Sequence, residues 1–163
     1  MVDFKENEQL NTLNHSCAHV MAQAIKHLYP QAKFWVGPVV AEGFYYDVDL
    51  GDEVVSDEAI AKIEKEMKKI IKKGAKIERF TKTREEAIAF FKEKDEPYKV
   101  ELIEDLPEEE TISFYQQGEF VDLCAGPHIM YTKGVKAFKL TSIAGAYWRG
   151  SEKNKMLTRI YGT

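Results

Sequence analysis

Glu8 to Pro30 reads "EQLNTLNHSCAHVMAQAIKHLYP", and this stretch predicts a helix from Glu8 to about Tyr29, ended by Pro30. At roughly 100° per residue, Leu10, Leu13, Cys17, Val20, Met21, Ala24 and Leu28 gather into one apolar stripe. His15 and His19 fall roughly 160–200° from the centre of that stripe, beside Thr12, Ser16, Ala18, Ala22 and Lys26. Two imidazoles one turn apart therefore share a face that is turned away from the main core and has small neighbours. Cys17 points the other way and is expected to be a packed thiol. His27 reads as a surface histidine.

The pattern is completed far away. "CAGPH", Cys124 to His128, repeats the four-residue offset with a thiol and an imidazole, and Gly-Pro keeps it out of a helix. Together the two stretches hold three of the four histidines and both cysteines. Two rings from a helix, with a thiolate and a third ring from a loop, make a tetrahedral zinc set of His15, His19, Cys124 and His128. Pattern alone leaves Cys124, at the end of the apolar "FVDLC", equally readable as core. Two cysteines make no disulfide framework, so reduced thiols in the cytoplasm are expected.

Elsewhere short strands alternate with helices. "KFWVGPVV" (33–40) and "GFYYDVDL" (43–50) read as strand, turn, strand, with Tyr45 and Tyr46 on opposite faces. Ser56 is expected to cap a second helix ending at Gly74, with Ile60, Ile63, Met67, Ile70 and Ile71 buried. "KIERFT" is a short strand, and "TREE" is a capping box, Thr83 with Glu86, opening a helix through about Lys94. "YKVELI" and "ISFYQQGEFVDLC" read as extended, the second folded at Gly118. "KAFKLTSIAGAYWRG" is a strand ending in a glycine-bounded turn. These elements predict an α+β fold, a mainly antiparallel sheet packed against helices.

At 163 residues, 44% hydrophobic and 31% charged, the chain is of globular composition, and no apolar run reaches the roughly 20 residues that cross a bilayer. The polar, acidic start is no signal peptide. The net charge of −4 hides an asymmetry: Ile129 to Thr163 carries seven Lys and Arg against Glu152, net +6, leaving −10 for the rest. That basic end suits a phosphate partner or a solvated surface.

"HSCAH", "VGPVVAEGFYYDVDL", "EFVDLCAGPH" and "KLTSIAGAYWRGSEKNKMLTRIYGT" together resemble the amino-terminal editing domain (second additional domain) of the bacterial threonyl-tRNA synthetases. The resemblance implies a tail at 1–9, the editing domain at 10–148, and at 149–163 the start of a linker toward an aminoacylation core. It further implies post-transfer editing by a deacylase that hydrolyses serine from mischarged Ser-tRNA(Thr). The partners would be the acceptor end of tRNA(Thr) carrying serine and the remainder of the synthetase, with no membrane. The implied pocket is His15, His19, Gly37, Tyr46, Lys99, Asp122, Cys124 and His128. His15 would place or deprotonate water. Lys99 would steady the oxyanion or protonate the ribose oxygen. Asp122 would hold the substrate's α-ammonium, and His19, Cys124 and His128 would form a floor that excludes threonine's extra methyl. Tyr46 would contact the terminal adenosine, and Gly37 would admit the ligand to the backbone. The family implies no cofactor for editing, whereas the related alanyl-type editors hold zinc on such a set. Ala125 and Ser151 stand where the family usually has arginine and aspartate. Two alternatives are a zinc-dependent freestanding editor of mischarged tRNA(Ala) and a non-catalytic tRNA-binding module.

Overall fold

The computed structural model describes residue 3 and residues 6–51, 57–107, 112–118, 120–124, 128–147 and 156–163. Ser56, Ala125, Ser151 and the turn expected near Gly150 lie outside them.

Helix α1 runs Glu8–Leu28, as its periodicity predicts. Asn7 caps it, its side chain accepting the Leu10 N–H at 3.0 Å. The second helix, α2 (Asp57–Lys73), buries Ile63, Met67 and Ile70 beside α1 and ends at Gly74, where φ is +65°. α1 packs against a five-stranded antiparallel sheet, with α2 lying against α1. Its strands are β1 (Lys33–Phe34), β2 (Val39–Val40), β3 (Gly43–Asp49), β7 (Leu140–Tyr147) and β8 (Met156–Gly162). The central path is β1-β3-β8-β7, with β2 also pairing β3. The segment 33–40 is thus two short strands, since Gly37-Pro38 interrupts the ladder between them.

A second sheet is formed by β4 (Ile77–Lys82), β5 (Ile112–Gln117) and β6 (Phe120–Leu123), in that order and antiparallel. It carries its own core of Ala87, Phe91, Val100, Ile103, Ile112 and Phe114. Over it lie α3 (Arg84–Glu93) and α4 (Pro97–Asp105). Both halves of the Thr83–Glu86 capping box form, each at 3.1 Å. The α+β expectation, with antiparallel pairing throughout the described strands, is what the chain adopts.

Two expectations are corrected. "YKVELI" is helical: Pro97 sits at the first helical position, where its fixed φ suits a helix and its missing N–H is no loss. The residues assigned to a linker include β8, which is hydrogen-bonded between β3 and β7 and buries Leu157 and Ile160. Arg159 on that strand forks onto the buried Asp47 at 2.8 and 3.0 Å and lies 4.0 Å over the Tyr45 ring. A boundary at 148 would cut a sheet through its middle.

Candidate functional site

α1 and β6 bring the distant motifs together. On β6, Asp122 points inward and is 2% exposed, and the next inward turn of chain presents Cys124, whose N–H donates to the Ser113 carbonyl at 3.1 Å. Cys124 Sγ lies 3.2 Å from His15 Nε2 and 3.2 Å from His128 Nε2. The His128 ring is 4.4 Å from that of His15 and 4.2 Å from that of His19, centre to centre. His15, Cys124 and His128 are half-buried, and His19 forms the buried floor. Cys17 is buried on the opposite face, its thiol pushed up to about 12 by burial, and takes no part. His27 meets Glu66 at 3.1 Å, away from this group.

Beneath the cluster sits a second layer. Asp122 Oδ1 accepts from Lys99 Nζ at 2.5 Å and from the Leu123 N–H at 2.8 Å. Its Oδ2 accepts from the Tyr46 hydroxyl at 2.6 Å and lies 3.3 Å from His19 Nε2. Burial, then the charges of His15 and Lys99, hold the His19 pKa well below the usual histidine value. Its ring is therefore neutral, Nε2–H donates to Asp122, and Nδ1 remains as an acceptor. His128 is likewise held neutral, first by burial and then by its histidine neighbours. Tyr46 is pushed well above the usual phenol value by burial and by Asp122, so it stays a donor.

All eight residues of the implied pocket lie in or beside this assembly, but three have different surroundings from those expected. Lys99, expected to face the oxyanion or ribose oxygen, is 3% exposed, and its ammonium donates to the Trp35 carbonyl at 2.7 Å and the Tyr46 oxygen at 2.8 Å, besides Asp122. Lys99 and Asp122 therefore hold each other, and either reaches a substrate only by exchanging one of these bonds. Tyr46 is 1% exposed, because the alternation of β3 turns it inward, so it positions Asp122 and offers no face to an adenosine. Gly37 has its reason in the same ring: a Cβ there would lie 2.3 Å from Tyr46 Cδ2. It admits a tyrosine rather than a ligand.

Ser16 is more than a small neighbour of the histidines. Its hydroxyl accepts the Ile129 N–H at 3.0 Å and pairs with His128 Nδ1 at 3.0 Å, tying the loop to α1. Its place inside "HSCAH", on the histidine face, was the available signal. Tyr115, which meets the His128 ring edge-on at 4.4 Å, had none, since its contact depends on sheet register.

The ligating atoms of His15, His19, Cys124 and His128 all lie within 4.8 Å of one another. Three imidazoles and a sulfur are a zinc donor set, and Asp122 behind His19 and Ser16 behind His128 are the outer partners that such ligands use. The residues thus fit zinc, which when bound would lower the pKa of a coordinated water.

Residues 112–161 match the family model of the threonyl and alanyl tRNA synthetase second additional domain. The whole chain is 61% identical to a threonine–tRNA ligase of Acetivibrio thermocellus, covering 26% of that protein. It is 60% identical over its full length to one of Clostridium acetobutylicum, covering 25% of it. Over 159 residues, 98% of this chain, it is 58% identical to one of Carboxydothermus hydrogenoformans, again 25% of the relative. The chain spans about a quarter of the length of the curated relatives it matches. With the motifs' convergence on one cluster, these matches make the chain similar to the region of threonine–tRNA ligases that carries the second additional domain.

Proposed function

We propose that this chain hydrolyses the ester joining serine to the 3′ end of tRNA(Thr), as the editing segment of a cytoplasmic threonine–tRNA ligase. The observation that carries it is Cys124 Sγ seated 3.2 Å from imidazoles of both His15 and His128, groups brought from opposite ends of the chain. Thiol and imidazoles on a buried, hydrogen-bonded base form a polar cluster suited to proton transfer.

The need for such a site is general. Serine lacks one methyl of threonine, and a missing methyl is worth only about 1–3 kcal/mol in a binding pocket. A second site too small for threonine sorts what the first cannot. His15, a half-buried ring of the cluster, takes a proton from water as the water oxygen attacks the ester carbonyl. The carbon–oxygen bond to the ribose then breaks, and the ribose oxygen receives the proton. Asp122 takes the substrate's α-ammonium in exchange for its bond to Tyr46 or His19, and Lys99 turns a freed N–H toward the developing oxyanion. His19, Cys124 and His128 fill the space that threonine's methyl would need.

The reaction as written needs no metal, because the residues supply both proton acceptor and charge stabiliser. The four-donor set favours a second reading, a zinc-dependent editor, whose substrate could equally be mischarged tRNA(Ala). Metal content of the purified chain separates them: zinc at one per chain, with serine release lost on chelation, overturns the metal-free account. The direct test is to soak crystals with a non-hydrolysable seryl-adenosine analogue. Its seryl group is expected against His15, Cys124 and His128. A ligand elsewhere, or none, leaves only a tRNA-binding module.

A further inference from the structure

Glu96 is a buried acid that takes no part in the attack on the ester. It caps the start of α4, the helix that carries Lys99, and is 7% exposed. Its Oε2 accepts the Phe34 N–H of β1 at 3.0 Å, while Oε1 is buried with no hydrogen-bond partner among the described residues. Lys26 Nζ of α1 stands 3.8 Å from Oε1, too far for a hydrogen bond. A buried carboxylate with so few partners is costly, and the neutral acid much less so. Burial accordingly raises the Glu96 carboxyl to about 7. The Phe34 N–H, Lys99 and Lys26 pull the other way, and the negative charge of Asp122 adds to the rise.

The surroundings join Glu96 to the site. Glu96, Lys99 and Asp122 line one cavity of about 600 Å³ between the two sheets, and Lys26, Lys82 and Lys94 line it too. The Tyr46 hydroxyl, between Lys99 and Asp122, also feels the Glu96 charge and stays neutral. In the free chain the buried charges balance, because Lys99 offsets Asp122 and Glu96 keeps its proton below about pH 7. A substrate α-ammonium on Asp122 ends that balance: two ammonium groups then share one buried carboxylate, and like charges in a low dielectric repel strongly. The same ammonium cancels the Asp122 charge that helps to keep Glu96 protonated, so it biases Glu96 toward ionising.

We propose that Glu96 is the charge-balancing residue of the site: as Asp122 takes the substrate's α-ammonium, Glu96 gives up its proton to water and remains as a second carboxylate beside Lys99. This rests on the proposed function, which brings the ammonium to Asp122. Glu96 touches no reacting atom and acts through its neighbours, as a positioning residue. Its carboxylate keeps the ammonium of Lys99 from being driven out of the site when Asp122 is shared.

Calorimetric titration of the non-hydrolysable seryl-adenosine analogue into the full chain at pH 6.5, in two buffers of different ionisation enthalpy, counts the protons released. A fall of the Glu96 pKa by about one unit, from about 7 to about 6, releases about half a proton. Glu96→Gln keeps the shape and an oxygen for the Phe34 N–H, and it should release about half a proton less than the wild type. With an analogue in which hydrogen replaces the α-amino group, wild type and Glu96→Gln should agree. Equal release by the two proteins with the amino analogue overturns the charge-balancing role and leaves the function standing, whereas no binding of either analogue overturns the function. The coupling is also read without a ligand, because Asp122→Asn removes the same negative charge as a bound ammonium cancels. The NMR titration midpoint of the Glu96 carboxyl carbon should fall in that variant by about one unit. A midpoint that does not move overturns the role as well.

Discussion

Replacing Asp122 by Asn keeps its shape and removes its charge, and the structure says what that should cost. The carboxylate is 2% exposed and holds Lys99, 4% exposed at the side chain, at 2.5 Å. Removing one partner of a buried ion pair strands the other, typically at about 3–5 kcal/mol. Here the Trp35 carbonyl and the Tyr46 oxygen still receive the ammonium, so the lower figure, about 3 kcal/mol, is expected. For a chain of this size that is a fall in melting temperature of about 6–12 °C. Lys99→Met should cost a comparable amount, and the double variant should cost clearly less than the sum, because no charge is left buried alone. Urea unfolding of the four proteins completes the cycle. A loss under about 1 kcal/mol for Asp122→Asn, or additive single effects, would show that the pair is not the coupled base of the site and would refute the reasoning.

Burial raises the Glu96 carboxyl to about 7 from an ordinary 4.5, so the folded state binds more protons between those values. Stability should then be fullest below pH 4.5 and fall by about 3 kcal/mol as pH rises through 7. Glu96→Gln should remove that slope; urea unfolding at pH 5 and pH 8 checks it, and a slope unchanged in the variant contradicts it. Gly37→Ala should cost about 1–3 kcal/mol, since its Cβ would sit 2.3 Å from the Tyr46 ring, and a melting temperature equal to wild type would dismiss that packing role. Ser16→Ala releases the His128 ring from α1; serine release should drop about tenfold with a stability loss of about 1 kcal/mol, whereas a loss of stability alone would make Ser16 merely structural.

Local chemistry made much of this chain legible. The α1 stripe, its proline stop, the Thr83–Glu86 capping box and the turns at Gly74 and Gly118 each depend on residues within a few positions of one another. The four-residue offset in "HSCAH" puts two imidazoles on one face from sequence alone, whereas pattern leaves Cys124 equally readable as core, and only the fold seats it against them. Long-range pairing was harder to read. β8 looks like a loose end because its partner β3 lies more than a hundred residues earlier, and no local pattern records that register. "YKVELI" has strand-like composition, and its helix is set by Pro97 and by packing of Val100 and Ile103 on the second sheet. The commitments of Lys99, Tyr46 and Asp122 to one another were also hidden. Each residue is ordinary alone, and only their shared burial makes them a unit.

The central claim is tested most directly by the rate at which this chain releases amino acid from Ser-tRNA(Thr) and from Thr-tRNA(Thr), compared with its His15→Ala variant. Serine should be released and threonine retained, and the variant should lose about a hundredfold or more of the serine rate while keeping its melting temperature. Equal release of both amino acids, or a variant as fast as the wild type, would contradict the account.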